Sequence, residues 1–406
     1  MTRRSAAIAA AMLVASLVHA TIAAAQMTEP DASKARVRVG PVLFNPTVEL
    51  SNVGIDTNVF NEPSDRAKRD VTLTFSPKTD LWMKMARTWV VGNVREDVVW
   101  FKDYVSERST SNTVALGWLV PLTRVAFSVG GTYRNVRDRP GYEIDTRARR
   151  TDLEAKGSAE LRALSRTFVG VRGSRRRLDF DADAVFRNAS LRTELNRTAT
   201  EGALTVRHQL TPLTAITLDI GRIEERFEFS PLRNSNSTTT TLGVSLDPAA
   251  LIKGSAKFGY RDFQPQLPGL PEFRGATVAV DLSYTLLDIT RFAVRVGRDV
   301  AYSYDVNQPY YLETGVSGSI AQQIFGPVDF VGRAGFQTLD YRNRTDVLAL
   351  LVDRTDKVHF YGGGVGYHMR PDVRIGVNAD RQRRTSEVAR HEYEGVRLGV
   401  AITYGF

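Results

Sequence analysis

From residue 46 to the end, the chain repeatedly places apolar residues at every second position. Val114-x-Leu116-x-Trp118-x-Val120, Val125-x-Phe127-x-Val129 and Val278-x-Val280-x-Leu282-x-Tyr284-x-Leu286 are clear examples. Phe292-x-Val294-x-Val296 continues the pattern through Val300, Tyr302 and Tyr304, while the opposite positions read Arg291, Ala293, Arg295, Gly297, Asp299, Ala301, Ser303 and Asp305. A period of two with one apolar and one polar face predicts strands that put one face against a nonpolar phase and the other against water. Short turns are predicted at 86–88, 121–124, 164–167, 211–214, 247–251, 287–290, 323–327 and 370–372. Longer polar connections are predicted at 61–69, 106–111, 136–146, 181–190, 230–237, 264–275, 305–309, 343–356 and 386–390. Tight turns alternating with long loops mark an outer-membrane barrel, whose tight turns face the periplasm. The count is about eighteen antiparallel strands (16–18), an all-β transmembrane barrel over residues 46–406, with 26–45 as a short periplasmic lead-in.

The last strand shows why a membrane is the nonpolar phase. Leu398, Val400, Ile402, Tyr404 and Phe406 alternate with Gly399, Ala401, Thr403 and Gly405. An open edge this apolar invites aggregation in water, whereas lipid on one face and closure into a barrel remove that hazard. The alternation ending in Phe resembles the terminal signal of bacterial outer-membrane barrels, which implies recognition by the barrel-assembly machinery.

The N-terminus agrees. Arg3 and Arg4 precede an apolar run from Ala6 to Val18, then Ala23-Ala24-Ala25 precede Gln26. These are the charged, apolar and cleavage regions of a secretory signal peptide over residues 1–25, and the run falls short of the ~20 residues a membrane helix needs. Mean hydropathy is below zero and Cys is absent, so disulfides and thiol chemistry are excluded. With no apolar run long enough for a membrane helix, a soluble fold or a closed barrel remains, since only helices and closed barrels satisfy every backbone group in lipid. Removing Arg3 and Arg4 takes the formal charge from +9 to +7. An exported basic chain meets outer-membrane lipid, lipopolysaccharide or anionic polysaccharide rather than nucleic acid. Trp89, Trp100, Phe101, Tyr104, Trp118, Tyr133, Phe227, Phe229, Tyr260, Phe263, Tyr302, Tyr304, Tyr341 and Tyr367 favour strand ends, where interfacial girdles would place them.

Chemistry is sparse. His208, His359, His368 and His391 lack a nucleophile setting; His391 sits at a loop edge, and His359, between Lys357 and Tyr361, reads as a polar lumen residue. Asp179-x-Asp181-x-Asp183 resembles the start of a calcium loop but carries Ala184 for the sixth-position glycine and Ser190 for the twelfth-position glutamate. No metal site, cofactor or enzymatic activity is expected. With the apolar face outward, Arg124, Arg134, Arg172, Arg176, Arg207, Arg295, Arg374, Arg384 and Arg397 point to the lumen, together with Asp219, Asp281 and Asp380. Guanidinium forks there would either favour anions or brace the wall against carboxylates. Arg298 breaks the outward pattern, at a bulge or at the interface.

Pro46-Thr47-Val48-Glu49-Leu50 followed by Gly54-Ile55-Asp56-Thr57-Asn58-Val59-Phe60 is similar to the opening of the putative β-barrel porin 2 family, with Ile55 where an aromatic is common. The rhythm resembles that family through to Phe406. The resemblance implies an outer-membrane channel of a Gram-negative bacterium, of a kind often encoded beside surface-polysaccharide loci, and carries no catalytic residues across. The expected function is export of an anionic exo- or capsular polysaccharide. A general small-solute porin and a structural or adhesin barrel are the alternatives.

Overall fold

The computed structural model describes residues 30, 32, 35–248, 250–345 and 353–405. The expected signal peptide and Phe406 lie outside the described residues. Eighteen antiparallel strands form the barrel: β1 (Val42–Asp56), β2 (Asp70–Met85), β3 (Thr88–Phe101), β4 (Ser109–Pro121), β5 (Val125–Asp138), β6 (Ala148–Arg162), β7 (Thr167–Phe180), β8 (Arg197–Thr211), β9 (Thr214–Phe227), β10 (Ser235–Leu246), β11 (Ile252–Pro265), β12 (Phe273–Leu286), β13 (Thr290–Tyr302), β14 (Tyr310–Phe325), β15 (Val328–Arg342), β16 (Thr355–Arg370), β17 (Val373–Thr385) and β18 (Tyr393–Tyr404). Each pairs with its sequence neighbours, and β18 returns to β1, with Val48 opposite Tyr404, Leu50 opposite Ile402 and Ile55 opposite Leu398. Closure leaves no free edge, as a sheet in lipid requires.

The eight short and nine long connections fall where the alternation breaks. Leu287 and Asp288, between β12 and β13, both take left-handed φ, 52° and 58°. Two such residues make a turn whose twist matches the flanking strands. The ladder from β12 to β13 runs without a bulge from Val278–Arg298 to Leu286–Thr290. Arg298 therefore keeps its outward register, and its guanidinium hydrogen-bonds Thr314 Oγ1 and the Ala276 carbonyl.

Leu116, Trp118, Val129, Leu204, Leu242, Phe258, Val377, Leu398 and Tyr404 are exposed on the outer face. The aromatic positions divide rather than forming two outer girdles. Trp100, Trp118, Tyr133, Tyr260 and Tyr367 are exposed, but Trp89, Phe101, Phe227, Phe263, Tyr304 and Tyr341 are buried. The buried ones occupy positions at strand ends covered by infolded chain. At the short-turn end, Leu43, Trp89 and Leu119 form an apolar cluster against Ala32, Ala35 and Trp82, so the lead-in segment packs onto the barrel. Within it, Val37–Val39 pairs with the start of β1, which begins at Val42, ahead of the expected residue 46.

Candidate functional site: the lumen and its inward loop

The face opposite the exposed apolar rows encloses the lumen. Its arginines are held by carboxylates one or two strands away. Arg176 Nε reaches Asp152 Oδ1 at 2.7 Å, Arg207 reaches Glu160 at 2.6 Å, and Arg295 reaches Asp281 at 2.8 Å. Arg172 lies 3.0 Å from Glu201 and 3.6 Å from Asp219, whose other oxygen accepts from Thr205 at 2.7 Å. Arg374 and His368 converge on Asp329 at 2.7 Å and 2.6 Å, and Arg397 bonds Asp56 at 2.7 Å. Arg333 forks onto Asp380. Planar forks on carboxylates fix geometry as well as charge.

Glycines let these side chains lie against the wall instead of filling the pore. A Cβ at Gly366 would stand 2.3 Å from the Arg374 guanidinium, and one at Gly362 would stand 1.9 Å from Asp380 Oδ1. Gly364 seats Asn378, Gly315 seats Gln337, and Gly335 seats the Phe360 ring in the same way. The Gly366→Val variant is expected to push Arg374 off Asp329 and into the pore. Single-channel conductance should fall while the barrel still assembles; an unchanged conductance counts against the seating role.

At the long-loop end, the loop 139–147 between β5 and β6 turns inward, and Gly141 through Asp145 are all buried. Ile144 packs in an apolar cluster with Leu178, Phe180, Phe186 and Leu191, and Tyr142 packs with Tyr311, Leu339, Tyr341 and Val358. The loop 181–196 supplies Phe186 and a one-turn helix, α1 (Leu191–Leu195), capped by the Ser190 hydroxyl accepting from the Thr193 N–H.

Arg384 is the pin. Its side chain has no exposed surface; Nη1 donates to the carbonyls of Tyr142 and Glu143 at 3.0 Å each and to Asp145 Oδ2 at 3.3 Å, while Nη2 bonds Asp356. Asp356 also accepts from Arg354 Nε at 3.0 Å, and Arg354 Nη2 contacts His391 Nδ1 at 2.9 Å. Burial and the adjacent Arg354 drive the His391 pKa down to about 2, so it stays neutral and accepts that bond. Glu143 accepts from the Ser303 hydroxyl at 2.6 Å and the Tyr304 N–H at 3.2 Å. Burial nevertheless raises its pKa to about 7, against the opposing pull of Arg354 and Arg384. Burial also raises Asp145 and lowers Arg139.

A profile of the family described as "Putative beta-barrel porin 2" matches residues 30–406. The chain belongs to that family. As a member it is an outer-membrane β-barrel porin. Among solved structures it is similar to OpdK of Pseudomonas aeruginosa crystallised with vanillate, at 10% identity over 89% of this chain and 98% of that one, TM-score 0.47. It is also similar to a BenF-like porin of Pseudomonas fluorescens Pf-5 (9% identity, the same coverage, TM-score 0.48) and a bacterial polysaccharide outer membrane secretin (9%, the same coverage, TM-score 0.33). At that distance the likeness carries no conclusion about what this porin transports. No curated protein matches the sequence.

The porin's lumen differs from the row of arginines anticipated in the sequence at two positions. Arg124 stands exposed in the turn between β4 and β5, where its carbonyl accepts from the Arg162 N–H at 2.8 Å; the strand simply starts one residue later. Arg384 is buried under the inward loop rather than facing open water. Arg134 makes no hydrogen bond or ion pair among the described residues. His359 is not a lumen residue: it is exposed on the outer face in the row of Tyr361 and Val365, its ring 4.8 Å from that of Phe336 and tilted by 49°. His391 lies at the loop edge expected of it, just before β18, and is buried in the Arg354 network. Sequence periodicity passed over Arg333, Arg354, Asp152, Asp329, Asp356 and the whole of Tyr142–Asp145. A signal for the last was present in Tyr142 and Ile144, apolar residues inside a long polar connection.

Proposed function

We propose that this porin is a channel for export of an exo- or capsular polysaccharide. The observation that supports this reading most is the glycine-seated wall, on which polar side chains lie in reach of the pore without blocking it. A polymer needs many weak contacts, each strong enough to admit it and weak enough to release it. The carboxylate partners offset the arginines, so preference for an acidic polymer rests on the few lumen cations left without a partner, Arg134 foremost. An eighteen-stranded barrel is wide enough for an aqueous pore. Deleting the gene should lower secreted polysaccharide and leave small-solute uptake unchanged; the reverse outcome rejects export.

General diffusion of small solutes is the second reading, and the inward loop favours it, because a pinned loop narrows the mouth to a size filter. In planar bilayers, Asp152→Asn leaves Arg176 unpaired and is expected to raise anion over cation permeability by about twofold. A reversal potential identical to wild type would show that the pair does not face the conducting path.

A further inference from the structure

Beneath the inward loop, a cavity of about 110 Å³ lies against β15–β18 and β1, with Tyr142 of the loop in its lining. That space holds about four waters, and its accessible side lets a six-membered sugar ring enter part-way from the lumen. Its lining is unusual in that both charge signs are already satisfied. Arg333 is forked onto Asp380, and Arg397 is bonded to Asp56. The outer edges of these pairs stay accessible, with 37% of the Asp380 side chain and 32% of Arg397 exposed.

Two residues from Asp380 on β17, opposite Gly399, stands Asn378, half-buried, whose amide makes no hydrogen bond among the described residues although it lies at the cavity. A half-buried amide without a protein partner presents two donors and one acceptor to whatever fills the space. Phe360, also in the lining, sits on Gly335, so close that a Cβ there would lie 2.2 Å from its ring. On β18, Gly395 and Gly399 flank Arg397, and Asn58 and Asn52 lie 3.3 and 3.5 Å from where their Cβ atoms would stand, so both asparagines also border the cavity.

We infer that this cavity is a subsite for one neutral pyranose ring, stacked on Phe360 and hydrogen-bonded by Asn378, Asp380 and Arg397. A carboxylate or ammonium ligand would have to compete with an ion pair already made, at a desolvation cost no new contact there offsets. A polyol instead donates to the spare lone pairs of Asp380 and accepts from the outer nitrogens of Arg397 without breaking either pair. The C–H face of the ring covers an aromatic face, and the free amide completes the set.

This subsite rests on the export reading only in its ligand class, and the test separates the two. Purified barrels in planar bilayers are exposed to maltohexaose as a neutral probe and to an oligoalginate of similar length as an acidic one. Wild type should show transient current blocks with maltohexaose. The Phe360→Ala and Asn378→Ala variants should each shorten the block by about tenfold, the loss of a stacked ring or a bidentate contact. Heat-modifiable gel mobility confirms that each variant is a folded barrel. Leu242→Ala, on the outer face and away from the cavity, should leave maltohexaose blocks unchanged.

If maltohexaose does not block, or blocks wild type and both folded variants alike, the subsite is overturned. Blocks by oligoalginate alone also overturn it while leaving polysaccharide export standing. Loss of secreted polysaccharide on gene deletion is judged independently of either result.

Discussion

Replacing Arg384 with methionine is expected to turn a narrowed channel into one that opens frequently to a larger conductance. Arg384 alone reaches two loop carbonyls, Asp145 and Asp356. Taking one partner out of a buried charge network costs about 3–5 kcal/mol, because the others are left unpaired. Besides the hydrogen bonds of Glu143 to Ser303 and Tyr304, the loop's main hold is apolar: Tyr142 and Ile144 are 6% and 3% exposed and contribute about 1.5–3 kcal/mol each. The two terms are comparable. Losing the arginine should therefore leave the loop exchanging between docked and released states rather than freeing it outright, and adding Ile144→Asp should release it fully. Asp356 keeps Arg354 in the variant, so the strand ends remain braced. Single-channel recordings of the folded variant decide the point. A conductance histogram identical to wild type would mean that the loop does not narrow the conducting path.

The barrel was legible because its determinants are local and repetitive. A period of two, turn residues at short breaks and a closing apolar strand specify both strand and facing, and Asp281 opposite Arg295 sits on the face where alternation puts it. Facing failed where alternation lost its outside reference. At Arg124 the strand has not yet begun, and at His359 two polar residues, Lys357 and His359, in an outward row look like lumen positions. The inward loop was illegible for a different reason. Its contacts join Tyr142–Asp145 to Arg384, Ser303 and Tyr304, well over a hundred residues away in the chain. No periodicity encodes such a pairing. Glycines on the lumen face are likewise indistinguishable in sequence from glycines that relieve strand crowding; only the side chain lying over Gly366 or Gly362 tells them apart.

The second large effect is a pH dependence of the same gate, set by Glu143. Released into water, its carboxyl titrates near 4.5; docked, burial raises that to about 7. The docked loop therefore binds the proton more tightly than the released loop. Docking is fully favoured below the released pKa, weakens as pH rises from about 4.5 to 7, and gains no further penalty above. The span of roughly 2.5 pH units corresponds to about 3 kcal/mol. The facing groups do not cancel this trend: Arg354 and Arg384 keep their charge across the range, and His391 stays neutral throughout. The Tyr304 phenol, raised to about 12, also does not titrate there. Open probability should accordingly climb between pH 5 and 7.5 and then level off. Glu143→Gln keeps an acceptor for Ser303 and Tyr304 but has no proton to lose, so it should hold the channel in its acid-like, narrowed state at every pH. A variant that retained the wild-type pH profile would assign the titration to another group.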